Sequence, residues 1–184
     1  MAESAALYGK AKILSGYSKR PRLKGFTYLG CHRYFITICT HQKRPVFSNA
    51  EIVALCLDIL KKKSSALDFK VWAYCFMPDH LHLLLEGETQ DADLKRLILL
   101  FKQASGYSYR KIVDPAFSAD EKPKLWQTSF YDHVLRKDEE LLDVVRYILN
   151  NLVRKGLVRN YTEYMHSGSL VFRGGIKGVL LRQG

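Results

Sequence analysis

Acidic residues are scarce in this sequence of 184 residues: 18 Asp and Glu stand against 29 Lys and Arg, a net charge of +11 with neutral histidine. The shortage is sharpest in residues 1–24, where Glu3 alone faces Lys10, Lys12, Lys19, Arg20, Arg22 and Lys24. An excess of that size points to a polyanionic partner, nucleic acid ahead of membrane. Long hydrophobic runs are missing too. No apolar stretch approaches the roughly 18–20 residues a membrane span needs. Lys10 and Lys12 stand where the apolar region of a signal peptide would lie, so a cytoplasmic protein is expected. Cysteine is limited to Cys31, Cys39, Cys56 and Cys75, with no CxxC spacing. The set Cys31, His32, Cys39 and His41 matches no common zinc module, and the cysteines are expected to serve as small buried hydrophobes. Internal repeats and low-complexity segments are absent.

What is present suits one domain with a real core: 47% of residues are hydrophobic and 12% aromatic. Residues 1–24, broken by Gly9, Gly16 and Pro21, read as a basic arm, 25–158 as the domain and 159–184 as a tail. Residues 34–40 are β-branched and aromatic, a strand. Ser48 and Glu51 have the spacing of a capping box, opening a helix with Ile52, Leu55, Cys56 and Ile59 on one side and Lys61, Lys62 and Lys63 at its end. Residues 69–76 form a second strand, which turns at Met77-Pro78-Asp79 into a third. A second helix is expected from about 93 to 110 with Leu94, Leu97, Ile98 and Phe101 inward. Residues 126–131 read as a fourth strand, and a third helix capped by Asp138 runs to about 152. The order β-α-β-β-α-β plus a helix predicts an α+β fold, the ferredoxin-like split βαβ arrangement: an antiparallel sheet with helices on one face and an added C-terminal helix.

The third strand opens His80-Leu81-His82. Side chains alternate faces along a strand, so the two imidazoles point the same way from Cα atoms roughly 6.5–7 Å apart, and together they can pinch one metal ion. On the last helix Leu141, Val145, Ile148 and Leu152 make an apolar stripe at 100° per residue. Tyr147 and Asn151 are neighbours on its shoulder at i and i+4, with Arg154 a further turn along. A phenol, an amide and a guanidinium in a row at the edge of a core make an unusual seam.

Three blocks in order carry a family resemblance: Met77-Pro78-Asp79-His80-Leu81-His82-Leu83-Leu84; Trp126-Gln127 with Phe130 and Asp132-His133-Val134-Leu135-Arg136; and the segment from Tyr147 to Val158. Together they resemble the REP-associated tyrosine transposases, single-tyrosine members of the HUH transposase superfamily, over roughly residues 25–170. The likeness includes Tyr161 and Ser167-Gly168-Ser169 after the last helix. It implies metal ligands at His80 and His82, a third ligand at Asn151 and a nucleophile at Tyr147, which would join the 5′ phosphate of a DNA end and leave a free 3′-OH. Leu152 stands where the family usually has proline. Leucine lets the helix continue where proline would bend or stop it, and leaves the spacing from Tyr147 to Asn151 intact.

That chemistry suits the residue types. A phosphodiester gains charge during in-line displacement, and a divalent cation stabilises it. Two imidazoles and an amide oxygen leave coordination positions open, which favours Mg²⁺ or Mn²⁺ over a closed zinc site. A free phenol titrates near 10, so a tyrosine nucleophile needs the cation and nearby positive charge. Single-stranded DNA is the expected substrate, with hairpin-forming repeats implied by the resemblance and nucleoid association when DNA is bound. Candidate contacts are Arg33, Arg110, Lys111, Arg136 and Arg154, with Arg20 and Arg22 in the arm and stacking from Tyr131 or Trp126. A homodimer is open, since some relatives exchange the Tyr-bearing helix between protomers. Two other readings remain: an inactive single-strand-binding module on the same fold, and an unrelated metallohydrolase that would recruit carboxylate ligands beside the histidines.

Overall fold

A computed structural model describes residues 25–113, 123–136 and 140–172. The arm, with Arg20 and Arg22, and the expected cap at Asp138 lie outside the described residues. The strands are β1 (Arg33–Cys39), β2 (Phe69–Met77), β3 (His80–Gly87), β4 (Tyr131–Val134) and β5 (Ser167–Gly168); the helices are α1 (Ala50–Ala66), α2 (Leu94–Val113) and α3 (Leu141–Arg154). The sheet order is β4-β1-β3-β2-β5, and every pairing is antiparallel. The first four strands have the split βαβ order expected from the sequence.

Alternation along the strands makes two cores. Tyr34, Ile36, Ile38, Leu81, Leu83 and Leu85 share one face and pack with α1 and α2. Phe35, Ala73, Cys75, Met77 and Leu84 share the other, which α3 covers with Val144, Val145, Ile148, Leu149 and Leu152. The added helix therefore lies across the sheet from the other two. Each fully buried aliphatic side chain of α3 contributes about 1.5–3 kcal/mol of transfer free energy, so the dock is apolar and fixed. Leu152 is wholly buried within it.

Several local expectations shift. Asn49, not Ser48, caps α1: its Oδ1 accepts from the backbone N–H of Glu51 and Ile52 at 2.9 and 3.4 Å, while Ser48 ends a short 3₁₀ turn. The helix also runs three residues past the lysines, to Ala66. The fourth strand is residues 131–134, not 126–131. Trp126 makes one bridge to Thr40, and its indole N–H donates to Ser105 Oγ at 2.8 Å. Lys102 Nζ donates to the carbonyls of Gln127, Thr128 and Ser129 at 2.6, 2.7 and 3.4 Å. A side chain thus satisfies the backbone that a ladder would otherwise hold. Among the cysteines, Cys56 and Cys75 are buried, Cys39 is half-buried and Cys31 is exposed. β5 reaches the sheet edge through Gly168, where a Cβ would meet Tyr74 Oη at 2.6 Å.

Candidate active site

The two-residue turn Pro78-Asp79 joins β2 to β3 and is tied to β1. Thr40 N–H donates to the Asp79 carbonyl at 2.9 Å, and Thr40 Oγ1 lies 2.9 Å from the same oxygen and 2.8 Å from the Arg44 carbonyl. The tie sets the register that places Thr37 opposite His82 and Cys39 opposite His80 on β1, with Cys75 and Met77 opposite them on β2. Both histidines therefore emerge at one end of the central strand, on the α3 face.

Each ring is gripped from behind. His80 Nδ1 is 2.6 Å from Asp79 Oδ1, and His82 Nδ1 is 2.9 Å from Thr37 Oγ1. The two Nε2 atoms, left free by these contacts, meet at 3.1 Å. A carboxylate only accepts, so His80 Nδ1 is the donor in its contact with Asp79. Burial, and then the neighbouring His80, push His82 from its ordinary 6.5 down to about 3, leaving it a neutral imidazole. If His82 also carries its proton on Nδ1, toward Thr37, two lone pairs face each other. With the other tautomer Thr37 Oγ1 donates to His82 Nδ1 and the two Nε2 atoms share a hydrogen bond, so the pair is satisfied with or without a metal. The 3.1 Å gap is shorter than two metal–nitrogen bonds of about 2.1 Å each, so one ion can touch both. The residues fit a metal.

A cleft of about 760 Å³ opens in front of the pair, lined by His80, His82, Tyr147, Asn151 and Arg154 together. The strand pair and the helical seam, separate in sequence, share one cavity. Phe35 connects them, stacked on His82 at 5.3 Å between ring centroids and edge-on to Tyr147 at 6.0 Å. The Arg154 guanidinium lies 5.9 Å from the centre of the Tyr147 ring. Lys43, Lys155, Gln127, Tyr131 and His133 also line the cleft. Lys43 and the preceding Gln42 both have positive φ, 53° and 56°. Left-handed backbone at two consecutive non-glycine residues is uncommon, and it occurs where a cation is presented to the cavity. Among the described residues no three of His, Cys, Asp and Glu lie together as metal ligands. Asn151, Asp132 and His133 line the same cleft as the pair.

Other expected contacts lie elsewhere. Arg33 begins β1, six residues or about 20 Å from Cys39 at the cleft end, and pairs with Glu86 at 2.9 Å. Leu135 N–H donates to the Arg33 carbonyl at 2.8 Å, which places neighbouring Arg136 at that far end. Arg110 and Lys111 close α2, beside Tyr107. Of the proposed basic contacts that are described, Arg154 alone lines the cleft. Phe35, Thr37 and Lys43 were not foreseen. The first two are legible from strand alternation once β1 is set opposite β3; Lys43 follows from loop geometry that sequence does not display.

Residues 29–151 match the family described as Transposase IS200 like. This chain belongs to the IS200-like transposases. The transposase is 28% identical over 137 residues to a Haemophilus influenzae protein named "Putative REP-associated tyrosine transposase", with 73% of this chain and 77% of that one covered. An uncharacterized protein of the same organism is 26% identical over 153 residues, covering 71% and 85%. In fold, the transposase superposes with a TM-score of 0.62 on a REP-associated tyrosine transposase solved bound to a REP hairpin, at 17% identity and with 80% and 82% of the two chains covered. These matches meet the resemblance carried by the three sequence blocks. No described helix of the transposase is long and apolar enough to cross a membrane.

Proposed function

We propose that this chain nicks single-stranded DNA and transfers the cut end through a covalent phosphotyrosine at Tyr147, with Mg²⁺ or Mn²⁺ held by His80, His82 and Asn151. The observation that carries the proposal is the shared cleft: two Nε2 atoms converging at 3.1 Å, and a tyrosine, an amide and an arginine around the same cavity. When bound, the cation polarises the scissile phosphate and stabilises the charge that builds on it. The protein supplies the rest. Tyr147 Oη attacks phosphorus and forms the P–Oη bond, the P–O3′ bond breaks, and the departing 3′ oxygen takes up a proton while the phenol proton passes to solvent. The product is a 5′-phosphotyrosine and a free 3′-OH. Bond energy is conserved, so a second 3′-OH can reverse the step on a different strand.

Arg154, Lys43 and Lys155 supply positive charge at the phosphate position. Phe35 braces Tyr147 against His82 and fixes the approach of the phenol. Thr37 and Asp79 act as positioning residues, holding the tautomers that turn both Nε2 lone pairs toward the cation. Hairpin-forming repeats are the substrate we infer, because the structural neighbour is a REP-associated transposase bound to a REP hairpin. The test is incubation of labelled hairpin-bearing single-stranded DNA with Mn²⁺, followed by a denaturing gel and peptide mapping. The wild type should carry label on the peptide containing Tyr147. Tyr147→Phe should bind DNA with near wild-type affinity and carry none. Label on Tyr131, which also lines the cleft and is 48% exposed, or nicking with no protein–DNA bond, overturns the mechanism.

A further inference from the structure

The turn that follows β1 is held in an unusual conformation. Gln42 and Lys43 take φ of 56° and 53° in succession, and neither is glycine, the residue that adopts such backbone without strain. Strained backbone persists only where its surroundings impose it, and it collects at functional sites. Here hydrogen bonds impose it from both sides. Lys43 N–H donates to the Thr40 carbonyl at 3.1 Å, His41 N–H to the Leu125 carbonyl at 2.8 Å and Phe47 N–H to the Pro78 carbonyl at 3.0 Å. The Thr40 hydroxyl lies 2.8 and 2.9 Å from the carbonyls of Arg44 and Asp79. The turn is thereby fastened to the residues that lead into His80. A long side chain is kept at the strained position, and it lines the cleft. Lys102 Nζ is occupied by three carbonyls, whereas Lys43 has no side-chain hydrogen bond or ion pair among the described residues.

We propose that Lys43 is the general acid of strand cleavage: its ammonium donates a proton to the 3′ oxygen as the P–O3′ bond breaks. The proposal rests on the nicking reaction above and adds the proton donor which that reaction requires. Direction decides for Lys43. In-line displacement puts the attacking and departing oxygens on opposite sides of phosphorus. Along β1, Phe35 packs against the Tyr147 ring, Thr37 is opposite His82 and Cys39 is opposite His80. Phe35 and Cys39 are four residues, or about 13 Å, apart along the strand. The nucleophile stands at the Phe35 end of the histidine pair, with Arg154 beside its ring. Lys43 stands beyond Cys39, at the other end. Its charge is felt there: burial and then Asp79 raise the Cys39 thiol, and Lys43 draws it down. On cleavage the bonding pair goes to O3′ and the Nζ proton follows it, giving a 3′-OH and a neutral amine. In rejoining, that amine accepts the proton of the attacking 3′-OH.

Hairpin-bearing DNA in which sulfur replaces the 3′ bridging oxygen at the mapped cleavage site tests this. A thiol titrates at about 8.5, far below an alcohol, so a thiolate departs without a proton. Formation of the Tyr147 adduct is timed with Mn²⁺, in a single turnover, on the oxygen and sulfur substrates. Lys43→Met should slow the oxygen substrate by about 100-fold or more and the sulfur substrate by less than about threefold. Lys43→Arg keeps the charge but does not release its proton, and should show the same pattern. Lys155→Met removes a cation from the cleft and should slow both substrates alike. Metal-free fluorescence anisotropy should put the DNA affinity of Lys43→Met within about threefold of wild type, since at most one phosphate contact is lost. Equal slowing of both substrates by Lys43→Met, full activity in Lys43→Arg, or a binding loss as large as the rate loss overturns the assignment and leaves the Tyr147 mechanism standing. A wild type that forms no adduct with either substrate overturns both.

Discussion

Tyr34, Ile36 and Ile38 of β1 are buried on one face of the sheet, while Phe35, Thr37 and Cys39, which alternate with them in sequence, face the other. β3 repeats the division: Leu81, Leu83 and Leu85 on the first face, His80, His82 and Leu84 on the second. The first face is covered by two helices and filled with hydrocarbon. The second is covered by α3 over Leu84, Ala73 and Cys75 and opens into the cleft beside His80 and the largely buried His82. The same two strands thus serve as rigid core on one side and as a wall of the cleft on the other. Rigidity on one face is what holds imidazole positions steady on the other, because a strand cannot shift by one residue without moving every leucine out of the core.

Substitutions one residue apart should separate the two faces. His80→Ala or His82→Ala should reduce Mn²⁺-dependent nicking to background with only a small change in melting temperature. Leu83→Ala, next to His82 in sequence but on the first face and wholly buried, should cost about 2–5 kcal/mol, read as a shift of the urea midpoint. Any residual nicking should fall only in step with the folded fraction. If the histidine variants unfold as far as Leu83→Ala does, the division between the faces is wrong.

A smaller effect is expected just behind the histidines. Thr37→Val keeps the shape of the side chain and removes the oxygen that lies 2.9 Å from His82 Nδ1. Loss of such an outer partner typically weakens metal affinity by about 10–100-fold. Calorimetric titration with Mn²⁺ should show that loss, and Thr37→Ser should restore most of the affinity. Equal weakening in the serine variant would mean that packing, not the hydroxyl, is what matters.

The extent to which sequence displayed this organisation differs by element. Period-two alternation marked β1 to β3 and the shared direction of His80 and His82, because a half-buried strand leaves no other pattern. The apolar stripe of α3 likewise marked where Tyr147, Asn151 and Arg154 would project, and all three reach the cleft. The segment 126–131 misled because Trp126 has a strand-like composition yet is held by Ser105, and Lys102 caps the carbonyls after it. Long-range side-chain contacts of that kind leave no local periodicity. Arg33 and Arg110 look equivalent in sequence, but one is paired to Glu86 at the far end of the sheet and the other lines a groove beside α2. Charge counts predict a polyanionic partner without saying which face meets it.

The smallest effect lies on the hydrocarbon face and involves a misfit in it. The Tyr34 hydroxyl is buried with no hydrogen-bond partner among the described residues, and burial, with smaller contributions from Tyr28, Asp93 and Asp132, pushes the phenol up to about 12 from 10. An unsatisfied buried hydroxyl costs about 1–3 kcal/mol, so Tyr34→Phe should stabilise the fold by about 1 kcal/mol. The sign with pH follows from linkage. Between pH 10 and 12 the unfolded chain has released this proton and the folded chain retains it, so the native state binds more protons and stability falls as pH rises through that window. Tyr164, also raised to about 12, chiefly by burial, adds a parallel loss and remains in the variant. Urea midpoints measured from pH 8 to 11 should therefore decline in both proteins, less steeply in Tyr34→Phe, while DNA nicking at pH 8 is unchanged. Parallel declines would show that Tyr34 reaches solvent, and that the face behind the histidines is looser than its packing indicates.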